Sequence, residues 1–293
     1  MRIMLIIKAV AGLLVLGAMG GTAYMMKKYT GTVKDMPGTM MERQRQKELV
    51  LKQKAEEGVK SDNEPGEKAF QRARELLAIE SMAEAEEKLK YIVSFYPSAK
   101  SATEARKILG EINMDRVLDP EWKEGKKVVT VKSGDSYSAI VRNNKTTMDS
   151  LTHLSKLKNA DSRSLRPGKK LTVMSLENRV VIDLRRNNLT IMNDGEFVKE
   201  YPLVKVNYQH KGETKRLEIG GIRGWHQDKL VAVHSAHYRG ATKVIQLSDK
   251  SLAIRAVAEE NDDDISRGFY LSVADMEELP LILRPGNDIE IKN

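Results

Sequence analysis

The sequence predicts a multidomain α+β chain: an N-terminal membrane helix, a short helical segment, a βααβ module and a C-terminal β-rich domain. Three observations carry that prediction. An uninterrupted apolar run, Ala9 to Met26, stands near the start. Apolar residues then recur at helical spacing between Glu67 and Leu118. From Val129 onward, short apolar runs are punctuated by Gly, Asn, Asp and Pro, the pattern of strands and hairpins. The boundaries that follow are 1–29, 30–66, 67–120, 127–175 and 178–293. A chain of 293 residues holds two or three modest domains.

Composition narrows the chemistry. The formal charge of +8 suits anionic surfaces such as lipid headgroups, acidic wall polymers or nucleic acid. No aromatic-studded basic motif of a nucleic-acid reader is present, so nucleic acid is not an expected partner. The absence of cysteine removes disulfides, thiolate catalysis and sulfur-based zinc sites. It leaves an oxidising compartment open. No cofactor is expected.

Residues 1–29 read as an anchor. Arg2 and Lys8 precede the apolar run and Lys27 and Lys28 follow it. Its length reaches the lower limit for a bilayer span, roughly 17–20 residues. The competing reading is a cleavable signal peptide, with Gly21 and Ala23 before a cut at Tyr24. Residues 30–39 are a short linker, and Met40 to Gly58 is a charged spacer helix of mixed sign. In the next segment, Ala69, Phe70, Ala73, Leu76 and Leu77 share one helical face. Ala85, Leu89, Ile92 and Val93 share another, and Ala102, Ala105, Ile108, Leu109 and Ile112 a third. The small residues and the helix-ending Pro97 resemble a tetratricopeptide repeat, about one and a half units of it. So short an array is expected to lean on a neighbouring domain or on a protein partner.

The module opens with alternating Val129 and Val131. Gly134-Asp135-Ser136 breaks that strand and offers caps for a helix from Tyr137, with Ile140 and Val141 on its apolar face. A second helix is expected from Met148 to Leu154, capped by Thr147. Arg166-Pro167-Gly168 turns into a strand holding Leu171 and Val173. This stretch, Val128 to Val173, resembles the LysM module, a small wall-glycan-binding domain. The text that carries the likeness is V-x-V-K-S-G-D-S-Y-S-A-I at one end and L-R-P-G-K-K-L-T-V at the other. The family carries Asn near Ser155 and an aliphatic residue where Tyr137 stands. The resemblance implies an N-acetylglucosamine-containing glycan, peptidoglycan, as partner. It places the glycan groove between Gly134, Asp135, Ser136 and Tyr137 on one side and Leu157, Arg166 and Pro167 on the other. Tyr137 would supply an apolar face for a sugar ring. The bland reading is that Asp135 and Ser136 only cap a helix.

The last domain opens on hairpins: Val180–Leu184 and Leu189–Met192 flank Asn187-Asn188, and Asn193-Asp194-Gly195 leads into Phe197–Val206. Further runs are Leu217–Ile219, Leu230–Val233, Lys243–Leu247, Leu252–Val257 and Asp288–Ile291, with a helix over Val273–Leu279. The opening and the ending resemble the L,D-transpeptidase (YkuD-type) catalytic domain. Members read roughly I-H-G, then S-H-G-C-I-R, then an acidic helix and a P-G turn. Here the text is Ile254-Arg255-Ala256, then Ser266-Arg267-Gly268-Phe269-Tyr270-Leu271, then Asp275 and Arg284-Pro285-Gly286. Phe269 takes the nucleophile's place, Arg255 and Arg267 take the histidines', and Leu271 takes the arginine's. A phenyl ring holds no lone pair, and an arginine accepts no proton. The frame without its reactive groups implies a domain that catalyses nothing. Two arginines would make any surviving cleft cationic, fit for a carboxylate such as a peptide-stem terminus. The alternative is that Phe269 fills the cleft.

Other reactive groupings are weaker. His234-Ser235-Ala236-His237 sets a hydroxyl between imidazoles without a nucleophile-elbow pattern. Residues 259–264 form an acidic run without the spaced ligands of a calcium loop, so no metal site is expected. The sequence thus predicts a membrane-anchored bacterial envelope protein, with most of the chain in the periplasm or outside, that holds peptidoglycan without remaking it. Two other readings stand beside it: an L,D-transpeptidase relative with relocated residues, and an adaptor recruiting a wall enzyme through its helical segment.

Overall fold

Three helices lead the computed structural model: α1 (Glu64–Ala78), α2 (Met82–Phe95) and α3 (Ala102–Leu118). The structure describes residues 64–157, 165–209, 212–227, 229–233, 235, 237–257 and 267–293. The anticipated membrane helix, the spacer up to residue 63, His210, His234, the acidic run 259–264 and Ser266 lie outside them. Among the described residues no helix is long and apolar enough to cross a membrane.

Apolar residues three and four apart bring the helices together. Phe70 and Ala73 of α1, Leu89 and Ile92 of α2, and Ala105, Leu109 and Ile112 of α3 form one core. Glu80 turns α1 into α2 with a positive φ of 59°. The outer side of α3 is also covered. It lies on β5 (Glu196–Pro202), where Asn113 Nδ2 donates to the Phe197 and Val198 carbonyls, both at 3.0 Å. Arg106 meets Glu200 at 3.0 Å, and the buried Lys199 ammonium sits between Glu111 at 3.0 Å and Glu278 at 2.9 Å. The helical segment therefore leans on the β-rich part of its own chain. Since β5 ends the sheet, α3 also shields an edge that would otherwise offer unpaired backbone.

The small module follows as β1 (Lys126–Thr130), α4 (Tyr137–Asn143), α5 (Met148–Leu154) and β2 (Lys170–Met174). β1 and β2 pair antiparallel with Val128 opposite Thr172. Val131, Tyr137, Ile140, Leu151, Leu171 and Val173 make its core.

Ten strands build the C-terminal sheet. They are β3 (Asn178–Asp183), β4 (Asn188–Asn193), β5, β6 (Lys205–Asn207), β7 (Lys215–His226), β8 (Lys229–Val231), β9 (Thr242–Leu247), β10 (Ala253–Ala256), β11 (Gly268–Leu271) and β12 (Asp288–Lys292). Their order is β5-β4-β3-β12-β7-β9-β10-β11-β6, with β8 paired to β7. The two anticipated hairpins are there, turning at Asn187 (φ 49°) and at Asp194-Gly195 (φ 47° and 86°). β7 runs through both halves of the sheet. It pairs with β12 up to Glu218 and with β9 from Ile219, and its register shifts between Ile219 and Gly221. Gly220 permits that bulge, because a Cβ there would stand 3.1 Å from the Leu247 carbonyl oxygen. The last helix, α6 (Val273–Ile282), is capped by Ser272, whose hydroxyl accepts from Asp275 N at 3.1 Å. Met276, Leu279 and Ile282 of α6 and Met114 of α3 complete the core of the sheet.

Candidate functional site

Two loops meet at one end of the β1–β2 ribbon. Val131 N donates to Lys169 O at 2.9 Å, and Gly168 N donates to Val131 O at 2.8 Å, so the ladder continues past both strands. This holds the turn after β1 beside the turn before β2. The first is closed by Asp135, whose carboxylate accepts from Lys132 N at 2.7 Å. Gly134 takes a φ of 84°, where a side chain would be strained. The Ser136 hydroxyl accepts from Ala139 N at 3.1 Å and caps α4. The second turn is Arg166 to Lys169, with Gly168 at φ 85°. Gly134, Ser136, Arg166 and Pro167 are exposed, Asp135 is partly so, and Leu157 rests against the module core. Asp135 and Ser136 thus serve the backbone, and the surface they shape remains open.

One anticipated role needs correction. Tyr137 does not offer its ring to a sugar: it is 4% exposed and belongs to the module core. Its place one helical turn from Ile140 explains this, because both lie on the face of α4 that meets the ribbon. Ser155 stands where the family carries Asn, and its hydroxyl joins both backbone groups of Thr172, N at 2.9 Å and O at 3.0 Å. It ties the end of α5 to β2.

The module is clamped on two sides. Thr147 accepts from Ser150 N as the cap of α5 and donates to the buried carbonyl of Pro280 on α6 at 2.7 Å. Tyr238 donates to Asp149 at 3.0 Å. Burial raises the Asp149 pKa above the usual carboxylate range, and burial together with that carboxylate raises the Tyr238 phenol. On the other side, Lys126 Nζ donates to the Arg116 and Asp119 carbonyls, both at 2.7 Å, and burial pushes its pKa down. A nearby cleft of about 550 Å³ is lined partly by Arg116 and Trp122; Arg116 lies 5.1 Å over the Trp122 ring and pairs with Glu86.

The strand that resembles a transpeptidase motif has a different character. β11 pairs in parallel with β10, setting Ile254 opposite Phe269 and Arg255 opposite Tyr270. Phe269 and Leu271 have no exposed surface, and the Phe269 ring lies 5.6 Å from that of Tyr208. Gly268 fits so closely that a Cβ would come within 2.0 Å of the Ala253 carbonyl oxygen. Arg267 is exposed and donates to the Ser251 hydroxyl at 3.4 Å. The Nε of Arg255 is buried with no hydrogen-bond partner. Among the described residues neither arginine makes an ion pair, and the acidic run 259–264 lies outside them; the Phe269 ring is wholly buried at this place. Around Ser235, the hydroxyl accepts from His237 N at 3.3 Å, and the His237 ring stacks on His226 at 5.0 Å. Among the described residues no group of three His, Cys, Asp or Glu side chains could hold a metal ion.

Residues 129–173 match the LysM domain. No curated protein matches the chain. Among solved structures, a Cys-to-Ser mutant of the Enterococcus faecium L,D-transpeptidase is similar at 9% identity and a TM-score of 0.29, covering 39% of this chain and 49% of that one. An L,D-transpeptidase from Mycobacterium smegmatis is similar at 11% identity and a TM-score of 0.28, covering 43% and 64%. L,D-transpeptidase 1 of Mycobacterium tuberculosis is similar at 9% identity and a TM-score of 0.28, covering 43% and 68%. The chain spans about half to two thirds of the length of these structures.

Proposed function

We propose that this chain is a non-catalytic protein of the bacterial cell envelope that binds peptidoglycan glycan through its LysM domain. In this reading the β-rich part is a scaffold that holds the module, and residues 1–29 tether the chain to the membrane. The observation that carries it is the match over residues 129–173, with both groove-forming turns side by side and open to solvent. The catalytic half of the proposal rests on chemistry. Acyl transfer between peptides needs a nucleophile and a base to activate it. The chain has no cysteine, and Phe269, at the position the sequence resemblance assigns to the nucleophile, is a hydrocarbon ring in the core. The clamp supports the scaffold role, because Thr147, Asp149 and Lys126 each bond to a neighbouring segment of the same chain.

Two assays on the full-length protein test the two halves separately. Spun with purified peptidoglycan sacculi, the protein goes to the pellet; complete retention in the supernatant overturns the binding half. Incubated with a labelled tetrapeptide donor and an acceptor, it forms no cross-link; any acyl transfer overturns the non-catalytic half.

A further inference from the structure

Charge is unevenly placed in this chain. Between residues 128 and 173 the sequence has nine Lys and Arg against three Asp, a surplus of six within a chain whose total is +8. One of the three, Asp149, is partly buried and spoken for by Tyr238. A second, Asp135, turns its carboxylate onto its own backbone. Two of the cations pair outside the stretch, Lys145 with Glu177 at 2.6 Å and Lys156 with Glu121 at 2.7 Å. A neutral glycan gives the remaining surplus nothing to pair with.

The segment between β8 and β9 adds to it. The Lys243 side chain is 3% exposed and points its ammonium into the turn before it, donating to the Ala241 carbonyl at 2.8 Å, Tyr238 at 3.1 Å and Arg239 at 3.5 Å. Glu277 of α6 stands 3.4 Å from the same ammonium. A buried cation gripping three carbonyls fixes the turn, and the Tyr238–Asp149 bond fixes it against α5. An exposed residue of that turn, Arg239, reaches the LysM side and donates from Nη2 to the Leu157 carbonyl at 3.5 Å. Leu157 begins the second wall of the groove. A guanidinium has five N–H donors, and Arg239 makes no ion pair among the described residues, so donors remain for a ligand.

We propose that the β-rich part completes the LysM groove with Arg239, and that the completed site selects glycan bearing a free carboxylate over neutral glycan. The proposal rests on the LysM reading and adds its ligand class. Arg239 meets the carboxylate beside the sugar that lies between the two turns, and it joins the wall that holds Leu157 and Arg166. The buried clamp holds Arg239 at a constant offset from Leu157, which turns a general positive charge into a directed one.

Calorimetric titration of the full-length protein tests this with three ligands: a neutral N-acetylglucosamine tetramer, a disaccharide-tetrapeptide, and the same muropeptide with its carboxylates amidated. The wild type binds the carboxylate form about three- to fivefold more tightly than the amidated form, the scale of a solvent-exposed charge pair. Arg239→Gln brings the two muropeptide forms to near parity, a loss confined to the carboxylate form, and Arg239→Lys restores part of the preference. Equal affinity of the wild type for both muropeptides overturns the proposal, as does a parallel loss of all three ligands in Arg239→Gln. Failure of the wild type to bind any of the three overturns the LysM reading itself, a result distinct from losing the preference alone.

Discussion

Residues 129–173, which match the LysM domain, and the strand pair β10–β11 are treated by the fold in opposite ways. In the module, Asp135 and Ser136 spend their oxygens on local backbone and still leave an open, cationic surface. In the strand pair, Phe269 and Leu271, at positions the sequence resemblance assigns to reactive groups, are both wholly buried. The two regions differ in whether the side chains at their centre face water or the core.

That contrast breaks first at Gly268. Alanine there meets a carbonyl oxygen at 2.0 Å with φ at 149°, so Gly268→Ala is expected to destabilise by more than about 4 kcal/mol or prevent folding, read by urea unfolding. Phe269→Ala is expected to cost about 3–5 kcal/mol, the usual range for emptying an aromatic core position. A loss under about 1 kcal/mol would mean that this place is a cleft after all. The clamp comes next. Thr147→Ala removes both a helix cap and a buried interdomain bond, for a loss of about 1–2 kcal/mol. Limited proteolysis is expected to cut the module free sooner in that variant. Arg166→Ala should change stability by less than about 0.5 kcal/mol, while weakening sedimentation with peptidoglycan.

The smallest effect is one of pH. Burial raises the Asp149 pKa in the folded protein above its unfolded value, so the native state holds that proton more tightly. The group's contribution to stability is therefore full below the unfolded pKa and is lost as pH rises through the folded one. Asp149→Asn can still accept from Tyr238 and has no charge to bury. Its stability relative to wild type is expected to climb between acidic and neutral pH; a relative stability that falls over that interval would contradict the placement of Asp149.

Local pattern made much of this legible. The hairpins at Asn187 and at Asp194-Gly195 follow from residues that tolerate positive φ, and the three early helices from apolar spacing. Thr147 was readable as a cap, but its second bond, to Pro280, links residues 133 apart and no local pattern announces it. β7 looked like three residues, Leu217 to Ile219, because Gly220, Gly221 and Gly224 resemble breakers. In fact they permit a bulge and close contact with Ala241 in a strand of twelve. β11 was read only as a chemical motif, since parallel pairing with β10 leaves no mark in either strand alone. The burial of Tyr137 was available from its spacing to Ile140, and the resemblance to a sugar-binding family drew attention away from it. Arg239 lies far from the module in sequence and joins it only through the folded turn.

The most direct test is a map of amide shifts as the full-length protein is titrated with a disaccharide-tetrapeptide. The account predicts a footprint on Gly134, Ser136, Leu157, Arg166 and Arg239, with Arg255 and residues 267–271 unmoved. A footprint centred on Arg255 and 267–271, with the two turns of the module silent, would contradict it.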